Sequence, residues 1–268
     1  MRCYYLSDLH LEAQDFSLPL TRGDGDVLII AGDLCHASCL DPLRTDPYRL
    51  KQRERVLRFV AAARWAFRHV LLVAGNHEYH DGIFEDAVPL LRQHLDGVTV
   101  LDDETCTIDG VRFFGTTLWS DFEGRSEASM TRVRRGMGDY VFTKRRTENG
   151  LVKLTPADTL AAHDRALAAL ESELATGTQP VVVISHHAPS LQGLNPTHKG
   201  NGLDGAFASE LETFIGTLSR VPFWVHGHTH VRKRYTIGNT ATLANCRGFE
   251  GKDPSARTFK PTAFFELS

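Results

Sequence analysis

The chain has 268 residues, a length that supports a substantial core, and a single domain over residues 1–268 is expected. Hydrophobic residues at 42% and charged ones at 24% are near the globular average, which excludes extended disorder. A formal charge of -3 disfavours nucleic acid as a partner, and no apolar stretch is long enough for a helix to span a bilayer.

In chain order, apolar runs at 4–6, 27–31, 70–74, 181–184 and 223–225 are rich in Val, Ile, Leu and aromatics and read as buried strands. The stretch 49–67 sets Leu50, Val56, Leu57, Val60 and Ala61 at helical spacing among basic residues and predicts a crossover helix. A second helix is expected over 83–95, kinked or delimited by Pro89. Thr155-Pro156-Ala157-Asp158 opens a third with an N-cap, a proline at the first position and an early acid, and Leu160, His163, Leu167, Leu170 and Leu174 follow on one face. A fourth is expected over 206–218 through Phe207, Leu211, Phe214, Ile215 and Leu218.

Asp109-Gly110 and Gly238-Asn239 mark hairpin turns, one in each half. The fold class is therefore α/β, with two stacked sheets and helices outside. Segments 121–150 and 190–205 read as long glycine-containing loops, candidate lids if they flank a site. Met1-Arg2 runs almost directly into a strand with no signal-peptide pattern, so a cytoplasmic location is expected. The five cysteines are odd in number and form no CxxC pair, which points to free thiols in a reducing compartment.

Each apolar run leads into a polar motif: Asp8-Leu9-His10, Gly32-Asp33, Gly75-Asn76-His77-Glu78, Ser185-His186-His187 and Gly227-His228-Thr229-His230. Loops leaving the carboxyl ends of strands in an α/β sheet meet in one crevice, so distant motifs can share a site. Asp, His and Asn together offer oxygen and imidazole nitrogen, a mixture suited to Mn²⁺, Fe or Zn²⁺ more than to Mg²⁺ or Ca²⁺. In Asp8-Leu9-His10 and His228-Thr229-His230, the spacing of two sends both side chains the same way if the backbone is extended.

The five motifs in this order resemble the calcineurin-like metallophosphoesterase superfamily, whose pattern is DxH, GDxx, GNH[DE], a later His, and GHxH. The match runs from Asp8 to His230. The resemblance implies a four-layer α/β/β/α sandwich and two divalent metal ions. One would be bound by Asp8, His10, Asp33 and His230, the other by Asp33, Asn76, His186 and His228, with Asp33 bridging. It also implies that His77 faces the substrate phosphate and that Glu78 orients it. Only one residue of the His186-His187 doublet can point at the metals if the strand alternates. His186-His187-Ala188-Pro189 resembles the family's HHxP block, with its first histidine as ligand, which leaves His187 as a pocket residue.

Weaker candidates are His36, His80, Tyr140, Asn195, His226, and His198 in a glycine-rich stretch that could cover a phosphate. Asn245-Cys246-Arg247-Gly248 resembles an Asn-Pro-Arg-Gly segment of a bacterial branch, with Cys246 in place of proline, and makes Arg247 a candidate substrate contact. The run Arg132, Arg134, Arg135, Lys144, Arg145 and Arg146 is either an attractive surface for an anion or a solvated face. The expected activity is hydrolysis of a small phosphate ester by water activated between two metals. Phosphodiesterase action is favoured, because His77 can protonate a poor alkoxide leaving group. Phosphomonoesterase or nucleotide pyrophosphatase action is the alternative, and an inactive binding scaffold is a more distant one.

Overall fold

The structure is a computed structural model that describes residues 1–197, 199–253 and 257–267. Strands β1 (Arg2–Leu6), β2 (Gly25–Ala31), β3 (Phe67–Val73) and β4 (Thr99–Leu101) lie side by side and parallel. A hairpin of β5 (Glu104–Ile108) and β6 (Val111–Thr116) then opens a second sheet, and β7 (Lys144–Thr147) and β8 (Gly150–Lys153) form a separate hairpin. Next come β9 (Val181–Ser185), β10 (Phe223–His226), β11 (Arg232–Ile237) and β12 (Thr240–Asn245), which give the second sheet the order β11-β12-β10-β9-β6-β5. Its four central strands are parallel. Last, β13 (Phe264–Glu266) returns to the first sheet, antiparallel to β1.

Strand alternation explains the layers. Along β2, Val27, Ile29 and Ala31 face the space between the sheets, where they meet Val182, Ile184, Val225 and Leu243. The intervening Leu28 and Ile30 face Val56, Phe59, Val60 and Ala63 of the helix Pro47–Ala66. In the second sheet, Val181, Val183 and Trp224 pack outward on Ala166 and Leu170 of the helix Pro156–Ala175. The central strands β2, β3 and β9 are buried on both faces along most of their length, which is why their sequences are nearly unbroken apolar runs. Full burial of one such Val, Leu or Ile contributes about 1.5–3 kcal/mol. The result is the expected four-layer α/β/β/α sandwich.

The helix ends follow local chemistry. Asp46 accepts from Arg49 N (3.1 Å) ahead of Pro47, and Thr155 and Asp158 cap each other's backbone ahead of Pro156. The inner face of Pro156–Ala175 is Thr159, Ala162, His163, Ala166 and Leu170, while Leu160 and Leu167 are only half-buried. Small residues there let the helix lie close to the sheet.

Three expectations need correction. The helix foreseen over 83–95 is a 3-10 turn at Phe84–Asp86 followed by Ala87–His94, and Pro89 is third in that helix. Its missing N–H costs nothing there, so there is no kink. The helix foreseen over 206–218 is two short pieces, Asp204–Phe207 and Glu212–Gly216, because Ala208 turns extended to bridge Ala188. The expected loop 121–150 is ordered: a left-handed turn at Phe122–Arg125, helices Glu127–Gly136 and Asp139–Phe142, and the hairpin that begins with β7. Among the described residues, no helix is long and apolar enough to cross a membrane. All five cysteines are free thiols.

Candidate metal centre

The five motifs begin where β1, β2, β3, β9 and β10 end, so the carboxyl ends of the parallel strands of both sheets deliver them to one place. The backbone turns sharply as it arrives. Asp8 (φ 54), His10 (φ 48), Asp33 (φ 54), His228 (φ 66) and His230 (φ 47) all adopt left-handed conformations. Such angles are uncommon outside glycine and cost about 1–3 kcal/mol each, so they mark a site whose surroundings over-determine it. The side chains of Asp8 and His10, and of His228 and His230, thus converge through left-handed residues at alternate positions. The extended alternation expected for these pairs is absent.

Two glycines make the approach possible. A Cβ on Gly32 would stand 2.4 Å from His186 Nδ1, and one on Gly75 would stand 2.2 Å from Asp33 Oδ1. The Asp8 carboxylate accepts from His228 N at 3.0 and 3.1 Å and from the Ser7 hydroxyl, which ties the first motif to the last.

Two buried donor groups result, Asp8/His10/Asp33/His230 and Asp33/His186/His228, each with its ligand atoms within 4.8 Å of one another. Asn76 Oδ1 joins the second, 3.0 Å from His186 Nε2. His10 Nδ1 lies 2.9 Å from Glu12 Oε1, and His230 Nδ1 lies 2.7 Å from Asp253 Oδ2. With Nδ1–H donated to these carboxylates, the two Nε2 lone pairs face each other across 3.1 Å. His186 repeats the pattern: Nδ1 donates to Ala31 O (2.8 Å), and Nε2 points at the oxygens of Asn76 and Asp33. Finally, His228 Nε2 is buried with no hydrogen-bond partner among the described residues. Converging acceptors and an orphaned buried nitrogen are what a bound cation would satisfy, and the nitrogen–oxygen donor set fits a divalent transition metal.

The electrostatics agree. Burial opposes charge on His186 and His230, yet Asp33 raises His186 to about 9, and Asp253 and Asp8 raise His230 to about 10. Burial would raise the Asp33 carboxyl, but His186 and His77 hold it well below the usual range. Protons on the histidines thus stand where a cation would balance the carboxylates.

His77 lies at the edge of this centre with its side chain 21% exposed, and its Nδ1 is 2.9 Å from Glu12 Oε1. Burial works against its protonation, but Asp33 and Glu12 outweigh it and raise the pKa to about 9. The expectation that Glu78 orients His77 is overturned. The Glu78 carboxylate is turned inward and accepts from the backbone N–H of Asp33, Leu34, Cys35 and Gly75, at 2.5 to 3.0 Å. It shapes the Asp33 turn, and Glu12 holds the histidine.

Other candidates sort by their contacts. His187 is buried with Nδ1 3.2 Å from Thr117 O and its ring 5.1 Å from Trp119 and 4.2 Å from His228, and burial and then His186 push it down to about 3. Arg247 is not a cleft residue: it donates to Leu9 O and Asp15 O and covers the Phe16 ring, so it braces the loop after β1. Tyr140 bonds Thr159 and His226 meets Tyr235, both in packed surroundings. Asn195 lines the cleft, His36 and His80 stand beside His77, and His198 lies outside the described residues. In the basic run, Arg132, Arg145 and Arg146 pair with Glu123, Asp158 and Asp86, as a solvated face does.

Sequence reasoning missed Glu12, Asp139, Phe249 and Asp253. Glu12 had a signal, since Asp8, His10 and Glu12 continue one spacing of two. Asp139, which accepts from Asn76 Nδ2 (2.8 Å), had none, nor did Phe249, which stacks on His10 at 4.1 Å.

Comparison with known proteins agrees with this geometry. Phosphopantetheinyl hydrolase from Mycobacterium tuberculosis shares the fold with a TM-score of 0.60 and 19% identity, over 95% of this chain and 93% of that one. The uncharacterized protein L509 of Acanthamoeba polyphaga mimivirus is 22% identical over 213 residues, 74% of this chain and 73% of its own length. UPF0046 protein K07C11.7 of Caenorhabditis elegans is 35% identical over 124 residues, 42% of this chain and 37% of that protein. A family model described as calcineurin-like phosphoesterase matches residues 1–232, which include all five motifs. The chain belongs to the calcineurin-like phosphoesterase family, metal-dependent hydrolases of phosphoester bonds.

Proposed function

We propose that the protein is a phosphodiesterase that works with two divalent metal ions, one held by Asp8, His10, Asp33 and His230 and the other by Asp33, Asn76, His186 and His228. The observation that carries this reading is the placement of Asp33. Its Oδ2 lies 3.8 Å from His10 Nε2 and its Oδ1 lies 3.3 Å from His186 Nε2, so the two oxygens of one carboxylate face the two donor groups. When bound, a metal pair supplies Lewis-acid polarisation of phosphoryl oxygens and an acidified water. Imidazole mixed with oxygen suits Mn²⁺, Fe or Zn²⁺, and Mn²⁺ is the ion to test first.

The remaining work falls to the chain. His77, held by Glu12, neutralises charge on the phosphate and donates a proton to the leaving oxygen, a role worth about 10²–10⁴-fold. Water is limited by the cleft above the centre, about 290 Å³, which has Phe207 and Phe249 among its walls. Apolar walls suit an ester with an organic substituent on each side of the phosphorus. Lys199 also lines this cleft and favours a second reading, a phosphomonoester or pyrophosphate whose extra charge it would balance. A cytoplasmic location fits the five free thiols.

The test is metal-stripped protein reloaded with Mn²⁺ and assayed on bis(p-nitrophenyl) phosphate and p-nitrophenyl phosphate. The expected result is two metals per chain and a higher kcat/KM on the diester. Preference for the monoester, or saturation with a single metal, would overturn the reading.

A further inference from the structure

On the other side of His77 lies a third group of donors that the proposed reaction does not use for metal. His36, His77 and His80 each offer one ligand atom, and these atoms lie within 4.8 Å of one another. Their ring centroids are 5.8, 5.7 and 4.5 Å apart. Those spacings bracket the 5.1 Å of His10–His230 and the 4.9 Å of His186–His228, the imidazole pairs of the metal centre.

The second nitrogens are committed in the same way as in that centre. His80 Nε2 lies 2.7 Å from Asp139 Oδ1, and His77 Nδ1 lies 2.9 Å from Glu12 Oε1. A carboxylate on one imidazole nitrogen fixes the tautomer and leaves the other nitrogen as a metal ligand. His36 Nδ1 is buried with no hydrogen-bond partner among the described residues. Asp81 Oδ2 stands 4.0 Å from it, near enough to complete a shell.

The group opens to a cleft of its own that adjoins the one above Asp33. His77 lines two clefts, the one above Asp33 and a second of about 430 Å³ lined also by Asp81, Gly138 and Phe142. Three imidazoles with a fourth position open to water or a carboxylate form a donor set for Zn²⁺, with bonds of about 2.0–2.1 Å. Mn²⁺ and Mg²⁺, which want more oxygen, are poorly served by it.

We propose that His36, His77 and His80 form a third, zinc-selective site, and that zinc bound there switches hydrolysis off by occupying His77. The zinc ion takes the imidazole lone pair that would carry the proton, and the displaced proton leaves to solvent. The switch rests on the reading of His77 as the acid of the proposed reaction, whereas the site itself does not.

The experiment titrates Zn²⁺ into Mn²⁺-loaded wild type and into His36→Ala, and it reads both metal content after equilibrium dialysis and turnover. In parallel, stripped protein is saturated with zinc alone. Wild type is expected to hold three zinc ions at saturation and His36→Ala two, with Mn²⁺-supported turnover unchanged in the variant. The zinc concentration that halves turnover should rise at least ~10-fold in His36→Ala, since even an outer-shell partner of a metal is worth that much. If His36→Ala does not fold, His36→Gln keeps the side-chain volume and serves in its place. Absence of a third zinc from wild type, or its retention in the variant, overturns the site. Loss of the third zinc with unchanged zinc inhibition overturns the switch. If no ester is turned over with any metal while the third zinc still depends on His36, the hydrolase reading fails and the zinc site stands.

Discussion

Asn76 Nδ2 donates to Asp139 Oδ1 across 2.8 Å, a bond that turns the amide oxygen of Asn76 toward His186 Nε2 at 3.0 Å. An amide is nearly symmetric in shape, so its partner decides which atom faces the metal centre. Asp139→Ala is therefore expected to weaken the second metal about 10–100-fold, as loss of an outer-shell partner does. Asp139→Asn, which keeps one acceptor oxygen, should retain more of the affinity. Metal titration by calorimetry checks this, and equal affinity in wild type and Asp139→Ala would remove Asp139 from the role.

The two oxygens of Asp33 face different donor groups, which leads to a sharper expectation for Asp33→Asn. An amide carries no charge to share between two cations and presents a single acceptor oxygen. The variant should hold at most one metal tightly and lose turnover. Retention of two metals with near-normal kcat would show that the bridge is unnecessary.

Gly75 has φ -95, an ordinary angle for any residue, so substitution there tests space alone. A Cβ would meet Asp33 Oδ1 at 2.2 Å and Asp33 N at 2.5 Å, and the backbone atom cannot swing away. Gly75→Ala is expected to destabilise the fold by about 1–3 kcal/mol through overpacking and to lower metal affinity as well. Chemical denaturation and metal analysis together check it; a variant of wild-type stability and metal content would mean that the loop yields.

Much of this architecture was legible in the chain, and the reason is physical. Residues such as Ile29 and Val183 are buried on sheets covered on both sides, so their strands advertise themselves as apolar runs, and the motifs mark where those runs stop. The partners that hold the donors were harder to see. Asp139 and Asp253 reach Asn76 and His230 from irregular or short segments, where nothing in the local pattern shows what lies across the cleft. The roles of Glu78 and Glu12 were exchanged for a related reason. Adjacency in sequence put Glu78 beside His77, but a tight helical turn at Asn76–Tyr79 directs the two side chains apart.

Glu12 and His77 define a test of proton donation. If His77 donates to the leaving oxygen, His77→Ala should keep both Mn²⁺ ions of the Asp33 centre while kcat falls about 10²–10⁴-fold on an alkyl diester, whose alkoxide must be protonated. A nitrophenyl diester, with a leaving group that needs little help, should lose less. Glu12→Gln should show the same ordering with smaller losses, because it removes the charge that holds His77 but not the acid itself. Equal losses on both substrates would reduce His77 to an electrostatic role, and loss of an Mn²⁺ ion from the Asp33 centre in His77→Ala would make it a ligand of that centre.

Metal removal and pH act on the same histidines, and their signs can be worked out. In the metal-free protein His186 is raised to about 9 and His230 to about 10, above the ordinary 6.5. A raised histidine contributes stability that is fully present below about pH 6.5 and is lost as pH climbs through its folded value. The metal-free fold should therefore weaken between about pH 6.5 and 10. A metal must displace those protons to bind, so its affinity rises over the same interval. At 100 times its dissociation constant a ligand adds about 2.7 kcal/mol, which for a chain of this size is roughly 5–11 °C in Tm. The gap in Tm between Mn²⁺-loaded and stripped protein should accordingly widen from pH 6.5 to 9. Scanning calorimetry at matched ionic strength measures it, and a gap that narrows with rising pH would show that these imidazoles do not bind the metal.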